Sequence, residues 1–282
     1  MDVRHKGERH ARKRSRGPRG VGTKGAGHMI SRNESRALQR ITSGRDTGEV
    51  EDREALKRDV AEVALGYVCP DDIIGVGAGS TVEHFIRALA RSGMKPRGAI
   101  PASERTRTLL EAHGMPVVCL AEEIMPLALY IDGADEADAQ LRLIKGGGGA
   151  HTREKVLASA AQLFVCIVDE SKMVDALGRG PVPVEVVPVA LSLVERELRR
   201  LGGQPQLRED YETDNGNWIV DVSGLDLRSP EEMERTLDTV PGVLECGIFA
   251  ARRADVLILG TRNGVRRLTA EPSEGRNGQR GR

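Results

Sequence analysis

The chain has 282 residues, 39% apolar and 30% charged, with 42 Lys and Arg against 42 Asp and Glu, enough for one large or two modest domains with a buried core. No apolar run approaches the roughly 20 residues that cross a bilayer, and the N-terminus lacks the apolar core of a signal peptide, so membrane-spanning and secreted classes are excluded and a cytoplasmic protein is expected. Overall neutrality conceals an asymmetry: residues 1–48 carry 13 Lys and Arg against 4 Asp and Glu, a surplus of +9 matched by −9 in the remainder.

The opening MDVRHKGERHARKRSRGPRGVGTKGAG is rich in Gly and Arg without apolar periodicity. It cannot bury enough surface to fold, so residues 1–48 are expected to form a disordered basic extension. A nucleic-acid-binding arm is the weaker reading of that charge, and a dispensable extension the stronger one.

From about residue 50 the pattern changes. In REALKRDVAEVALGYV, Leu56, Val60, Val63, Ala64 and Tyr67 recur at helical spacing; Pro70 is a stop, and DIIGVG follows as a short strand. After GAGST a second helix is predicted from Val82, Phe85, Ile86 and Leu89. A strand at GAI, a helix at SERTRTLLEAHG, strands at PVVCL and LALYI, and LRLI come next. A glycine run then precedes the helix TREKVLASAAQ and the strand LFVCIV.

Short apolar strands alternating with helices predict an α/β fold, a mainly parallel Rossmann-like sheet with helices on both faces. Ligands then lie outside the carboxyl ends of the strands, where GAGST, PASE, DGADE, KGGGG and DESK fall. At LGRGPVPVEVVP prolines interrupt the pattern. Beyond them the helix LSLVERELRRLGG, the strand NWIVDVSGL, the helix SPEEMERTLDTV and the strand GVLECGIFA suggest a small inserted α+β domain, after which ADVLILGT rejoins the first sheet. The expected division is a catalytic α/β domain at 49–177 with 250–269, a small domain at 178–249, and a disordered tail at 270–282. Cys69, Cys119, Cys166 and Cys246 lack metal-ligand spacing and are expected to be buried free thiols, with no metal site.

Three of these clusters are chemically capable. GAGST, with Ser80 and Thr81 opening a helix, can cradle a phosphate or be a plain tight turn capped by Ser80. In DGADE, Asp132 and Asp135 flank Gly133, and a turn there can aim both carboxylates into one cleft. In IKGGGGAHTREK, consecutive glycines can turn several amides toward one point beside the cation of Lys145, with Glu154 in the first turn of the next helix. Glu154 either complements the helix dipole or serves as a base. An anion-holding loop beside a carboxylate is what proton abstraction next to a carbonyl requires, which leaves an enolising enzyme and a plain anion-binding site as the two readings.

These residues resemble the type A ribose-5-phosphate isomerases. The matching pieces are IGVGAGSTVEHFI, YIDGADEAD, IKGGGGAHTREK, VDESKMVDALG, PVPVEVVP, TDNGN and PGVLECGIF, in order over residues 53 to 268. The resemblance implies a cofactor-free aldose–ketose isomerase interconverting D-ribose 5-phosphate and D-ribulose 5-phosphate in the pentose phosphate pathway, working as a homodimer or homotetramer. It makes Glu154 the general base and Asp132, with Asp135 beside it, the carboxylate that assists ring opening. Lys145 and the backbone of Gly146, Gly147 and Gly148 would hold the enediolate oxygen. Ala78, Gly79, Ser80 and Thr81 would form the phosphate loop, with Gly133 and Ala134 in the sugar site; Lys57 and Lys172 would be substrate-contacting lysines. A non-catalytic sugar-phosphate sensor and an isomerase of another pentose phosphate are the alternatives. Three positions depart from the family pattern: Ala78 in place of threonine, Pro101 and Ala102 where a serine-rich loop leaves only Ser103, and His151 where an apolar residue is usual.

Overall fold

The computed structural model describes residues 50–269; the expected basic extension and C-terminal tail lie outside the described residues. The first helix, α1, covers residues 50–64 and buries Val60, Ala61 and Ala64, whereas Val63, counted in the predicted stripe, is exposed. β1 (Ile73–Val76) leads through the GAGST turn into α2 (Ser80–Ser92), which buries Val82, Phe85, Ile86 and Leu89 as their spacing predicts and ends at Gly93 in the left-handed region. β2 (Gly98–Pro101) precedes α3 (Glu104–Ala112), whose N-cap Ser103 accepts a hydrogen bond from the Thr106 amide. The expected strand at PVVCL reduces to a single bridge between Val117 and Ala99. The chain touches the edge strand there once and turns away.

β3 (Leu127–Asp132) is followed by a short hairpin, β4 (Glu136–Ala137) and β5 (Leu143–Ile144), then the glycine loop, α4 (His151–Ala160) and β6 (Ala161–Asp169). The next stretch contains β7 (Val182–Val186), α5 (Leu191–Arg200), β8 (Gln204–Leu207), β9 (Trp218–Ser223), α6 (Pro230–Asp238) and β10 (Val243–Cys246). Three strands finish the chain: β11 (Ile248–Phe249), β12 (Val256–Thr261) and β13 (Gly264–Thr269).

The main sheet has the order β13-β12-β6-β3-β1-β2 and is parallel except for β13, which forms an antiparallel hairpin with β12. Its strands alternate between two cores. On one face Val165 and Ile167 of β6 and Val256 and Ile258 of β12 pack against α1 and α2. On the other, Phe164, Cys166, Val168, Leu257 and Leu259 join Leu157 and Ala158 of α4. Of the four cysteines expected to be buried, only Cys166 and Cys246 are; Cys69 and Cys119 lie in exposed connections.

A four-stranded antiparallel sheet, β10-β7-β9-β8, carries α5 and α6 over a third core that includes Val184, Val194, Leu198 and Leu237. Two of its strands contain a proline, at Pro183 and Pro205, and the sequence does not read as strand there. Pro205 sits on an edge strand, where a missing amide is harmless. Pro183 sits in an inner strand, opposite Gly247, and has no N–H to offer the Gly247 carbonyl. That carbonyl accepts the Lys145 amide instead, at 2.9 Å, while the Gly247 amide donates to the Pro183 carbonyl at 2.7 Å. A third, small sheet, β11-β5-β4, thus hangs beside the four-stranded one. No described helix is long and apolar enough to cross a membrane.

Core packing of α2 yields a stability test. Leu89→Ala is expected to lower the unfolding free energy by about 2–5 kcal/mol in urea titrations. The same change at exposed Val189 is expected to move it by no more than about 0.5 kcal/mol.

Candidate active site

Three chain segments converge at the carboxyl edge of the main sheet. Asp132 is the last residue of β3, and β1 ends one residue before Gly77, so the two strand ends lie side by side. A Cβ on Gly77 would sit 1.9 Å from the Asp132 carboxyl, so that position admits no side chain. Asp132 is wholly buried. Its Oδ1 accepts the amides of Ala78 at 3.0 Å and Gly133 at 2.7 Å, and its Oδ2 accepts the Tyr130 hydroxyl.

The β4–β5 hairpin folds the chain back so that Lys145 comes beside this carboxylate. The pairing brings the Asp135 amide to the Ile144 carbonyl at 2.8 Å. Lys145 Nζ then lies 2.7 Å from Asp132 Oδ2, 3.1 Å from Glu154 Oε2, and donates to the Gly133 carbonyl at 2.6 Å. The ammonium also sits 5.6 Å from the centre of the Phe249 ring. The ammonium thus meets two carboxylates and one carbonyl.

Glu154 enters from the first turn of α4 and is 4% exposed. Its Oε2 has the ion pair with Lys145 but no hydrogen bond among the described residues. Burial, first, and then the Asp132 charge push its carboxyl up to about 8, against the downward pull of Lys145. Burial works against the Lys145 charge too, but the Asp132 and Glu154 carboxylates outweigh it and hold the ammonium protonated. A carboxyl that changes charge near neutrality can both take and return a proton.

One cleft gathers Lys57, Ala78, Gly79, Ser80, Thr81, Gly133, Ala134, Asp135, Lys145, Gly146, Gly148, Glu154 and Lys172. Every one of these was singled out from the sequence. At one end, α2 presents its first turn: Glu83 is the first residue whose amide bonds within the helix, to the Gly79 carbonyl, so the preceding amides face outward as donors. Gly79 makes the bend at φ +100°. Lys57 approaches from α1, held at 2.6 Å by Glu54, whose other oxygen meets His84 at 2.7 Å.

Two predicted residues stand back from the cleft. Asp132 lies behind Lys145, sealed by its four donors, so of the two aspartates of DGADE it is Asp135 that lines the cleft. Gly147 turns its amide to Asp135 Oδ2 at 2.7 Å and lines a neighbouring cavity with Arg179 and Arg208.

The departures from the family pattern also find places. Ala78 lines the cleft while its amide serves Asp132. Ser103 is committed as a helix cap, accepting from the Thr106 amide and donating to its hydroxyl, both at 3.0 Å. His151 is fully buried, with Nε2 3.3 Å from the Glu245 carbonyl. Desolvation lowers its pKa to about 4, so it is a neutral packed side chain rather than an acid.

Sequence reasoning missed Tyr130, whose place in LALYI reads only as a core position, and Glu185, Arg208 and Tyr211. Glu185, buried in β7, accepts from Thr152 of α4 and from Thr213, Asn215 and Asn217, which ties the TDNGN loop to the helix that bears Glu154. The one group of potential metal ligands among the described residues is Asp238, Glu245 and Cys246. Lys155 Nζ already supplies positive charge there, 2.8 Å from Glu245 and 2.9 Å from Glu234.

Residues 98–264 match the family Ribose 5-phosphate isomerase A (phosphoriboisomerase A). The chain is 50% identical over 220 residues to a ribose-5-phosphate isomerase A from Bordetella bronchiseptica, covering 77% of this chain and 97% of that one. A crystal structure of ribose 5 phosphate isomerase A from Neisseria gonorrhoeae superposes with a TM-score of 0.76 at 51% identity, over 77% of this chain and 97% of the other. A D-ribose-5-phosphate isomerase in complex with phospho-erythronic acid superposes at 0.73 and 38% identity, over 77% and 99%.

The electrostatics of the site can be measured directly. Carbon-13 NMR of the Glu154 carboxyl is expected to show titration near 8, well above the roughly 4.3 of an unperturbed glutamate. Because Lys145 pulls that value down, Lys145→Met is expected to raise it further; a midpoint near 4 in either protein would contradict the arrangement.

Proposed function

Because this chain belongs to the ribose 5-phosphate isomerase A family, we propose that its cleft interconverts D-ribose 5-phosphate and D-ribulose 5-phosphate through an enediolate, with Glu154 as the base. The observation that carries this reading is the contact of one buried ammonium with two carboxylates at the mouth of a glycine loop.

The phosphate takes the first turn of α2, with Ser80, Thr81, Lys57 and Lys172 around it. This leaves the sugar carbons directed at Glu154 and Lys145. In the open-chain aldose, Glu154 removes the proton on C2. The C–H electron pair becomes the C1–C2 double bond, and the aldehyde oxygen takes the negative charge. Lys145 and the Gly148 amide face that oxygen, and their fixed donors stabilise it more than they do the neutral carbonyl. The hydroxyl proton passes from O2 to O1, a transfer for which Asp135 is the carboxylate on the cleft wall. Glu154 then returns its proton to C1, giving the ketose. Asp132 acts from behind, holding Lys145 in place and turning the Ala78 and Gly133 amides.

The reaction belongs in the cytoplasm, where charged sugar phosphates are retained. A homodimer or homotetramer is the expected assembly. Val187, Val189, Leu193 and Leu244 support it, as exposed apolar side chains clustered around α5 and β10; sedimentation of the purified chain tests it.

Assay of purified protein against a panel of pentose 5-phosphates is expected to show preference for ribose 5-phosphate. Glu154→Gln is expected to cut kcat by roughly 10²–10⁴ while ribose 5-phosphate still binds in calorimetry. Undiminished turnover in that variant would remove Glu154 from the mechanism, and sugar-phosphate binding without turnover by the wild type would make the protein a sensor. The base works only when deprotonated. Below its pKa, kcat/KM is therefore expected to fall as pH falls, with the break near 8 rather than in the ordinary carboxylate range.

A further inference from the structure

We propose that Arg208 and Tyr211 are positioning residues for this isomerisation, a clamp that grips the carbonyls of Gly146, Gly147 and Gly148 and so aims the loop amides at Asp135 and the cleft. This deepens the reading in which the Gly148 amide and Lys145 hold the enediolate, and it rests on it.

Arg208 follows β8 and is anchored twice. Its own amide donates to the Ile219 carbonyl at 2.8 Å, and its guanidinium forks onto Asp221, Nε to Oδ2 at 2.9 Å and Nη2 to Oδ1 at 2.6 Å. The remaining edge of the guanidinium reaches the glycine loop. Nη1 lies 3.2 Å from the Gly147 carbonyl and 3.4 Å from that of Gly146, and Nη2 is 3.4 Å from the latter. Tyr211 continues the row: its hydroxyl donates to the Gly148 carbonyl at 2.8 Å, and its ring packs under the guanidinium at 5.2 Å. The fit is close on the loop's side as well, since a Cβ on Gly149 would lie 2.0 Å from the Tyr211 oxygen.

Peptide planarity converts a grip on carbonyls into an aim for amides. In a trans peptide the C=O of one residue and the N–H of the next point in opposite directions. Holding the Gly146 carbonyl therefore sends the Gly147 N–H the other way, where it meets Asp135 at 2.7 Å. Holding the Gly147 carbonyl sends the Gly148 N–H away from Arg208, and Gly148 lines the cleft. Holding the Gly148 carbonyl leaves the Gly149 N–H to close the turn onto the Gly146 carbonyl at 2.9 Å. Four consecutive glycines have little conformational preference of their own, so the direction of these donors must be imposed from outside. The clamp also keeps three carbonyl dipoles turned from the place where negative charge develops.

The test uses the full-length protein and two conservative variants. Tyr211→Phe removes one hydrogen bond without changing charge, and Arg208→Lys keeps the cation but cannot fork. Measured quantities are kcat and KM for ribose 5-phosphate, inhibition by phospho-erythronic acid, whose planar carboxylate stands in for the enediolate, and the dissociation constant of inorganic phosphate. Each variant is expected to lose roughly tenfold in kcat with a parallel loss of phospho-erythronic acid affinity. KM and phosphate binding should stay within about twofold, because α2 is untouched. Wild-type kcat and inhibitor affinity in both variants would overturn the proposal. So would equal weakening of phosphate and inhibitor, which signals loss of the cleft as a whole. Failure of the underlying reading is separately visible: it would show as an active Glu154→Gln protein, whatever the clamp variants do.

Discussion

A single buried ammonium organises this molecule's chemistry. Lys145 is drawn into the edge of the sheet by Asp132, whose remaining capacity is filled by two amides and the Tyr130 hydroxyl. Glu154 arrives from another helix and shares the same cation without a hydrogen bond of its own. Two carboxylates share one positive charge in a buried corner of the cleft, and Glu154 is the one whose oxygen lacks a hydrogen bond among the described residues. Its raised proton affinity follows first from burial and then from the Asp132 charge beside it. A better-solvated glutamate at the same place would be a weaker base toward a carbon-bound proton.

The sheet and the loops divide the labour. Parallel strands place Gly77 and Asp132 side by side with little freedom, because each strand is packed on both faces. The glycine loop and the helix that carries Glu154 lie in segments without such support, and these are braced by the four-stranded sheet. Glu185 gathers Thr152, Thr213, Asn215 and Asn217, and Arg208 with Tyr211 grips the glycine run. That sheet, far from being an ornament, is the outer wall against which the reactive loop is held.

Much of this was legible in the chain. The alternation of short apolar strands with helices marks the parallel sheet, the spacing of Val82, Phe85, Ile86 and Leu89 marks α2, and the residues lining the cleft come from motifs visible as glycine and carboxylate clusters, except Lys57, which only the family resemblance distinguishes from a surface lysine. What escaped detection has identifiable physical causes. β7 is masked by Pro183, which normally argues against an inner strand and is accommodated because Lys145 supplies the amide that proline lacks. Tyr130 looks like one more core residue in LALYI, since nothing in an alternating pattern reports that its hydroxyl has a carboxylate to meet. Arg208 lies some sixty positions from the glycines it touches, and only the pairing of β8 with β9 brings it there. Asp132 looked like a cleft residue beside Asp135, but a strand end points inward where the following turn points outward.

The junction of Pro183, Gly247 and Lys145 has a bearing on how such a fold can change over time. The backbone of Lys145 completes a hydrogen bond that the neighbouring sheet leaves open, and Gly247 has no space for even a methyl group, since a Cβ there would approach the Lys145 carbonyl to 2.2 Å. The four-stranded sheet is therefore joined to the cleft through main-chain atoms. Recombination that exchanged residues 178–246 for a foreign module would part Pro183 from Gly247, two halves of one seam, and Lys145 would lose its register although no residue of the cleft had been replaced.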